Sequence, residues 1–217
     1  PSLVIAPNDF EIDGQAGSMK SWREFGSWYA QLAKNRDAVP AELAMEVHNA
    51  IRGLEGDRAR VKALYQFMQD RTRYISVQLG IGGWQPFDVE YVHQRGYGDC
   101  KALTNYMASI LGVADIPAYP ALLSSGRNAP EVPIDFPNNQ FNHVLLFVPT
   151  QEDTLWLECT SQSMPFGRIG ASNEDRNALL VRETGGELVR IPKSAAPENL
   201  QRRQGVVQID ALGNGRA

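Results

Sequence analysis

The sequence predicts an α+β fold, in which helices from the N-terminal half pack on an antiparallel sheet built from the C-terminal half. Three observations carry this. Apolar residues recur at helical spacing as far as about Leu111. Beyond it the chain breaks into short β-type runs divided by turn residues, "AYPALLSS", "NHVLLFVP", "TLWLECT", "ALLVR" and "ELVRI". Helices followed by strands, rather than alternating with them, is the α+β order.

The elements follow in chain order. "PSLVIAP" is a short apolar run predicted as a strand, and Gly14 and Gly17 mark loop. Ser21 followed by Glu24 is a capping-box signature, with Trp22, Phe25, Tyr29 and Leu32 at helical spacing and Gly26 as a weak point. A second helix is predicted over Pro40–Arg52, with Leu43, Val47, Ala50 and Ile51 on one face. In "GDRARVKALYQFMQDRTRY" Asp57 can cap, and Val61, Leu64, Tyr65 and Met68 form an apolar stripe. "YISVQL" reads as a strand, "GIGGWQP" as a glycine-rich turn, and Asp88–Gln94 as a short helix. The next helix opens at Cys100 and buries Leu103, Met107, Ile110 and Leu111. "SGRNAPEVPIDFPNNQFN" is a long Pro/Asn-rich loop ahead of "NHVLLFVP", of a length that is usually functional or disordered. "GVVQID" reads as a further strand.

Composition sets outer limits. The 217 residues, 43% hydrophobic and 21% charged, can bury a core without disulfides or metals. A net charge of −4 without a basic patch argues against nucleic-acid binding. No apolar stretch reaches the roughly 18 residues of a membrane-spanning helix. Two cysteines do not form a disulfide framework and leave the compartment open. The chain starts at Pro1 without a methionine, which reads as a piece of something longer.

The chemistry centres on "GYGDCKAL". Gly96 and Gly98 allow a tight turn, Asp99 can act as N-cap, and Cys100 falls in the first helical turn, where the helix dipole favours a thiolate. Asp99 opposes this by like charge unless its side chain is tied to the backbone. Position alone supports a nucleophile and a buried core residue equally. Of the three histidines, His48 is placed on a helix surface and His93 at a helix end. His143 opens an apolar strand beneath the long loop, a place for a general base as well as for a structural histidine. Strand alternation puts Trp156, Glu158 and Thr160 on one face and Leu155, Leu157 and Cys159 on the other. Glu158 in a half-buried strand needs a partner, and His143 on the adjoining strand of a hairpin can supply it. Cys, His and acid together would make a thiol triad. The same alternation argues against a Cys100–Cys159 disulfide and against zinc held by Cys100, His143 and Cys159, and no CxxC or HExxH spacing supports a metal. No cofactor is indicated. "GIGGWQP" lacks the ending of a phosphate loop. Gln85, or Gln78, could donate to an oxyanion together with the Cys100 backbone N–H.

Taken together, "GYGDCKALTNYMASILGVADIPAYPALL", "NHVLLFV" and "WLECTSQSMPFG" resemble the bacterial transglutaminase-like superfamily, which has the papain-like cysteine-protease fold. The match is to members whose core is flanked by two β-rich domains of uncharacterised function. "GSMKSWREFGSWYAQL" resembles the entry to the core and "GVVQIDALGNG" the start of the second flanking domain. The resemblance implies three parts: residues 1–20 as the end of an upstream domain or linker, 21–203 as the core, and 204–217 as the start of a downstream domain. It places the nucleophile on Cys100, the histidine on His143 and the acid on Glu158. Two positions depart from the family, which usually has Asp where this chain has Glu158 and often an acid where it has Ala102. The implied activity is acyl transfer or hydrolysis on a protein or peptide amide, with no calcium loop. The implied setting is an exported protein of a Gram-negative bacterium. An inert transglutaminase-like binding or scaffolding module is the alternative.

Overall fold

The computed structural model describes residues 3–151, 153–199, 203–213 and 215–216. The chain opens with a hairpin of β1 (Asp9–Ile12) and β2 (Gln15–Ser18). Helices α1 (Trp22–Ala33), α2 (Ala41–Ala50) and α3 (Asp57–Arg71) follow. After them come β3 (Arg73–Tyr74), a 3-10 turn over Gly80–Gly83, α4 (Val89–Arg95), β4 (Tyr97–Gly98) and α5 (Cys100–Val113). The main sheet is formed by β5 (Tyr119–Leu123), β6 (His143–Pro149), β7 (Thr154–Leu157), β8 (Asn177–Arg182) and β9 (Gly185–Arg190). Its order is β7-β6-β5-β8-β9, and every neighbouring pair is antiparallel. A small hairpin of β10 (Gln208–Ile209) and β11 (Gly215–Arg216) closes the described chain.

Helices cover one face of the sheet in two patches. Around α5, the side chains of Leu103, Met107, Ile110 and Leu111 are fully buried against α2, α3 and α4 and against Leu146, Val148, Leu155 and Leu157. Each such side chain contributes about 1.5–3 kcal/mol by leaving water. Around α1, Phe25, Trp28, Tyr29 and Leu32 pack with Cys100, Leu122, Val144, Leu179 and Val181. The far face carries Ala121, Leu123, Leu145, Trp156, Ala178 and Leu180. Alternation along each strand therefore sorts residues as the sequence predicts, with Leu155, Leu157 and Cys159 toward the helices and Trp156 away from them.

Five local readings are corrected. Of "PSLVIAP", Pro1 and Ser2 lie outside the described residues, and 3–7 form no strand. Pairing begins instead at Asp9 and turns at Asp13 and Gly14, both at positive φ as a two-residue hairpin turn of type I′ requires. Gly17 is in β2, paired with Phe10, and a Cβ there would strike the rings of Phe10 and Trp28. In "YISVQL" only Tyr74, with Arg73, pairs, parallel to β4. The ladder stops after the Ile75 N–H bonds the Gly98 carbonyl, since the partner chain then coils into α5. Ser21 caps α1 by accepting from the Glu24 N–H, but the Glu24 carboxylate turns to Ser18 and the capping box is not reciprocal. Gly56, not Asp57, holds the cap position of α3.

Candidate active site

Cys100 is held by the turn before it. Gly96 ends α4 in the left-handed region. Gly98 passes so near α5 that a Cβ would lie 2.9 Å from that of Ala102. Asp99 is the N-cap of α5, its Oδ1 accepting the Ala102 N–H at 3.1 Å. Its Oδ2 pairs with the Lys101 ammonium, and both side chains are buried. Asp99 is thus tied to backbone and lysine. Cys100 itself is 7% exposed.

His143 begins β6, paired to Leu123 of β5. Thr104, one turn along α5 from Cys100, donates to the Val144 carbonyl at 3.5 Å and ties the helix to this strand. The register pairs Leu146 with Leu157 and Phe147 with Trp156. Continued one step, it sets Glu158 opposite Leu145, so the carboxylate meets His143 on the diagonal rather than directly across. His143 Nε2 and Glu158 Oε2 lie 2.7 Å apart. Oε2 also accepts from Asn173 Nδ2 at 3.1 Å, while Oε1 accepts from the Thr160 N–H at 2.9 Å and its hydroxyl at 2.6 Å. The Tyr65 hydroxyl of α3 donates to the Glu158 carbonyl at 2.7 Å, fixing the backbone as well.

Burial alone would push the His143 pKa down. Hydrogen bonding to the Cys100 sulfur and to Glu158, together with their charge, outweighs it and raises the value from 6.5 to about 9. Burial likewise works against the ionised Glu158, but its bonds to His143 and Thr160 hold the carboxyl below its ordinary 4.5. With Nε2 engaged by Glu158, Nδ1 is the ring nitrogen left for the sulfur. Tyr29 reaches the same place from α1. Burial first, then the negative charge of Cys100 and Asp99, raises its pKa and keeps the phenol protonated.

Cys159 is buried among the apolar side chains on the helix side, and burial pushes its thiol pKa up. Both cysteines are free. Among the described residues no group of three or more His, Cys, Asp or Glu side chains is arranged to hold a metal ion. His48 is on the exposed surface, bonded to the Ala44 carbonyl, and His93 sits in the last turn of α4. Gln85 is tied by its amide to the end of α1 and to Arg36. Its Nε2 donates to the Leu32 carbonyl at 3.0 Å and its Oε1 accepts from Arg36 at 3.0 Å. It satisfies a carbonyl at the end of α1, where helices leave acceptors unpaired. Gln78 is exposed. Lys101 and Asn173 are the site residues that sequence reasoning missed. A lysine after a cysteine reads as surface, and Asn173 lies in a turn with no pattern to single it out.

The sequence matches no family model and no curated protein. Among solved structures, a putative protease from Parabacteroides distasonis matches over 78% of this chain and 31% of its own, with a TM-score of 0.58 at 12% identity. A putative cysteine protease from Cytophaga hutchinsonii matches over 60% and 41% at 13% identity, TM-score 0.45. A TGase matches over 70% and 41% at 17% identity, TM-score 0.39. The chain therefore spans under a third of the Parabacteroides protein. At this identity the first likeness is one of fold: the chain carries the papain-like α+β fold that its sequence predicts.

Proposed function

We propose that this is a transglutaminase-like thiol enzyme acting on a protein or peptide amide, with Cys100 as nucleophile, His143 as acid–base and Glu158 as orienting acid. The observation that carries the reading is the 2.7 Å contact between His143 Nε2 and Glu158 Oε2, made beside a cysteine in the first turn of a capped helix. Glu158 holds the ring so that Nδ1 faces the sulfur and stabilises the imidazolium. Cys100 Sγ attacks the amide carbonyl carbon as a thiolate, its proton already held at Nδ1 of the His143 imidazolium. The tetrahedral oxyanion draws on the Cys100 backbone N–H, which lies where a helix offers no acceptor. The imidazolium then protonates the leaving nitrogen as the C–N bond breaks, and a thioester remains. Water attacking that thioester gives a peptidase or amidase, and an amine gives a transglutaminase. Flanking β-rich domains, with the core over 21–203, belong to the same proposal.

The test begins with iodoacetamide at about pH 6, where an unperturbed thiol is mostly protonated. Cys100 should alkylate at least tenfold faster than free cysteine, and Cys100→Ala should abolish labelling. A rate no higher than free cysteine would instead identify an inert binding module. Incubation with a casein-type substrate, with and without a labelled amine, separates the outcomes. New peptide termini indicate hydrolysis, and amine incorporation indicates transfer.

A further inference from the structure

Two more charges are buried beside Cys100, and neither belongs to the triad. The Asp99 side chain is 2% exposed and that of Lys101 5%, and they pair with each other. Lys101 is the second residue of α5, at the positive end of the helix dipole, where a cation is disfavoured. Burying an ammonium adds a desolvation cost. An apolar side chain of similar length would fill the space without either cost, so packing does not account for a lysine here. Asp99 does explain it. The N-cap carboxylate adjoins the nucleophile, and in a dry site its negative charge would oppose charge on the sulfur.

We infer that Lys101 is a positioning residue for the nucleophile: its ammonium cancels the Asp99 carboxylate, so that Asp99 caps α5 without repelling negative charge on Cys100 Sγ. The inference rests on the reading of Cys100 as an attacking thiolate. The other groups that face the sulfur are His143 from β6, with Glu158 behind it, and the Tyr29 phenol from α1. Of these only His143 is positively charged, and its carboxylate partner is Glu158, whereas the ammonium paired with Asp99 is that of Lys101. With Lys101 gone, the capping carboxylate is left unbalanced.

The experiment is the pH dependence of Cys100 alkylation in the full chain, with folding checked by circular dichroism. Lys101→Met should move the midpoint upward and slow labelling at pH 6 by about tenfold. Asp99→Asn combined with Lys101→Met keeps a capping side chain, removes both charges, and should restore the rate to within about threefold of the parent. A Lys101→Met profile that overlays the parent's, or a double variant as slow as the single one, overturns the inference. Should Lys101→Met not fold, Asp99→Asn alone decides: a midpoint that moves down supports the inference, and one that stays or rises overturns it. Failure of the enzyme reading is distinct, since there the parent itself labels no faster than free cysteine.

Discussion

Glu158 accepts four hydrogen bonds on two oxygens: His143 and Asn173 on Oε2, and the two Thr160 donors on Oε1. A glutamate has one more rotatable bond than an aspartate, and a buried carboxylate left loose would wander from the imidazole. Thr160 and Asn173 remove that freedom. Asn173 does so while its Nδ2 also donates to the Ile169 carbonyl at 2.7 Å and its Oδ1 accepts from the Ser125 hydroxyl at the start of the long loop. A hydrogen bond to a charged group contributes about 1.5–3 kcal/mol. Asn173→Ala should therefore slow Cys100 alkylation at pH 6 by roughly tenfold, the lower end of that range. Asn173→Asp should do more, because a second carboxylate beside Glu158 raises its pKa and shifts the acid limb of the rate profile upward. An unchanged limb in Asn173→Asp would restrict Asn173 to a packing role. His143 and Glu158 were legible because a period of two leaves little choice of face. Asn173 was not, since it comes from a turn that only the tertiary fold brings to the acid.

At the level of elements, α1 owes its place to glycines rather than to its apolar stripe alone. A Cβ on Gly26 would stand 2.2 Å from the Gly186 backbone of β9, and one on Gly186 would stand 2.4 Å from the Trp22 carbonyl. Helix and strand thus meet backbone to backbone, and the helix can sit low enough for Phe25, Trp28 and Tyr29 to pack around Cys100. Alanine inside a helix is ordinarily better than glycine by about 1 kcal/mol. Here the clash wins, because the atoms in the way are backbone and cannot rotate aside. Gly26→Ala should destabilise the protein by about 1–3 kcal/mol, the usual cost of overpacking, measured by urea unfolding. A stabilised variant would show that α1 has room to lift. From sequence, Gly26 reads only as a flaw in a helix, since its partner lies 160 residues away (Gly186). The helices themselves were legible from their stripes and from Ser21 and Asp99. The first hairpin is not legible from Gly14 as a loop marker alone, because its signal is the pair Asp13–Gly14, a turn with a mechanism.

For the whole molecule, the site is assembled from three separate places: the start of α5, the start of β6 and the chain just beyond β7. The order β7-β6-β5-β8-β9 is what brings them together, and nothing local in the sequence dictates that order. The charge coupling at the site therefore exists only in the folded chain and must appear in its stability. His143 has its pKa raised on folding from 6.5 to about 9. Its contribution is present in full below about pH 6.5 and is lost as pH rises through 9. Glu158 has its pKa lowered, so its contribution is present above about pH 4.5 and is lost as pH falls through the folded value. Both hold in full only between these limits. At about 1.4 kcal/mol per pKa unit, the His143 part is on the order of 3 kcal/mol. Urea unfolding of the parent and of His143→Ala, run in parallel at about pH 5.5, 7.5 and 9.5, isolates it. The stability difference should be largest at pH 5.5 and shrink at each step toward 9.5. A difference that stays level across the range would mean that folding does not raise the His143 pKa, and that the imidazole is neutral at rest beside Cys100.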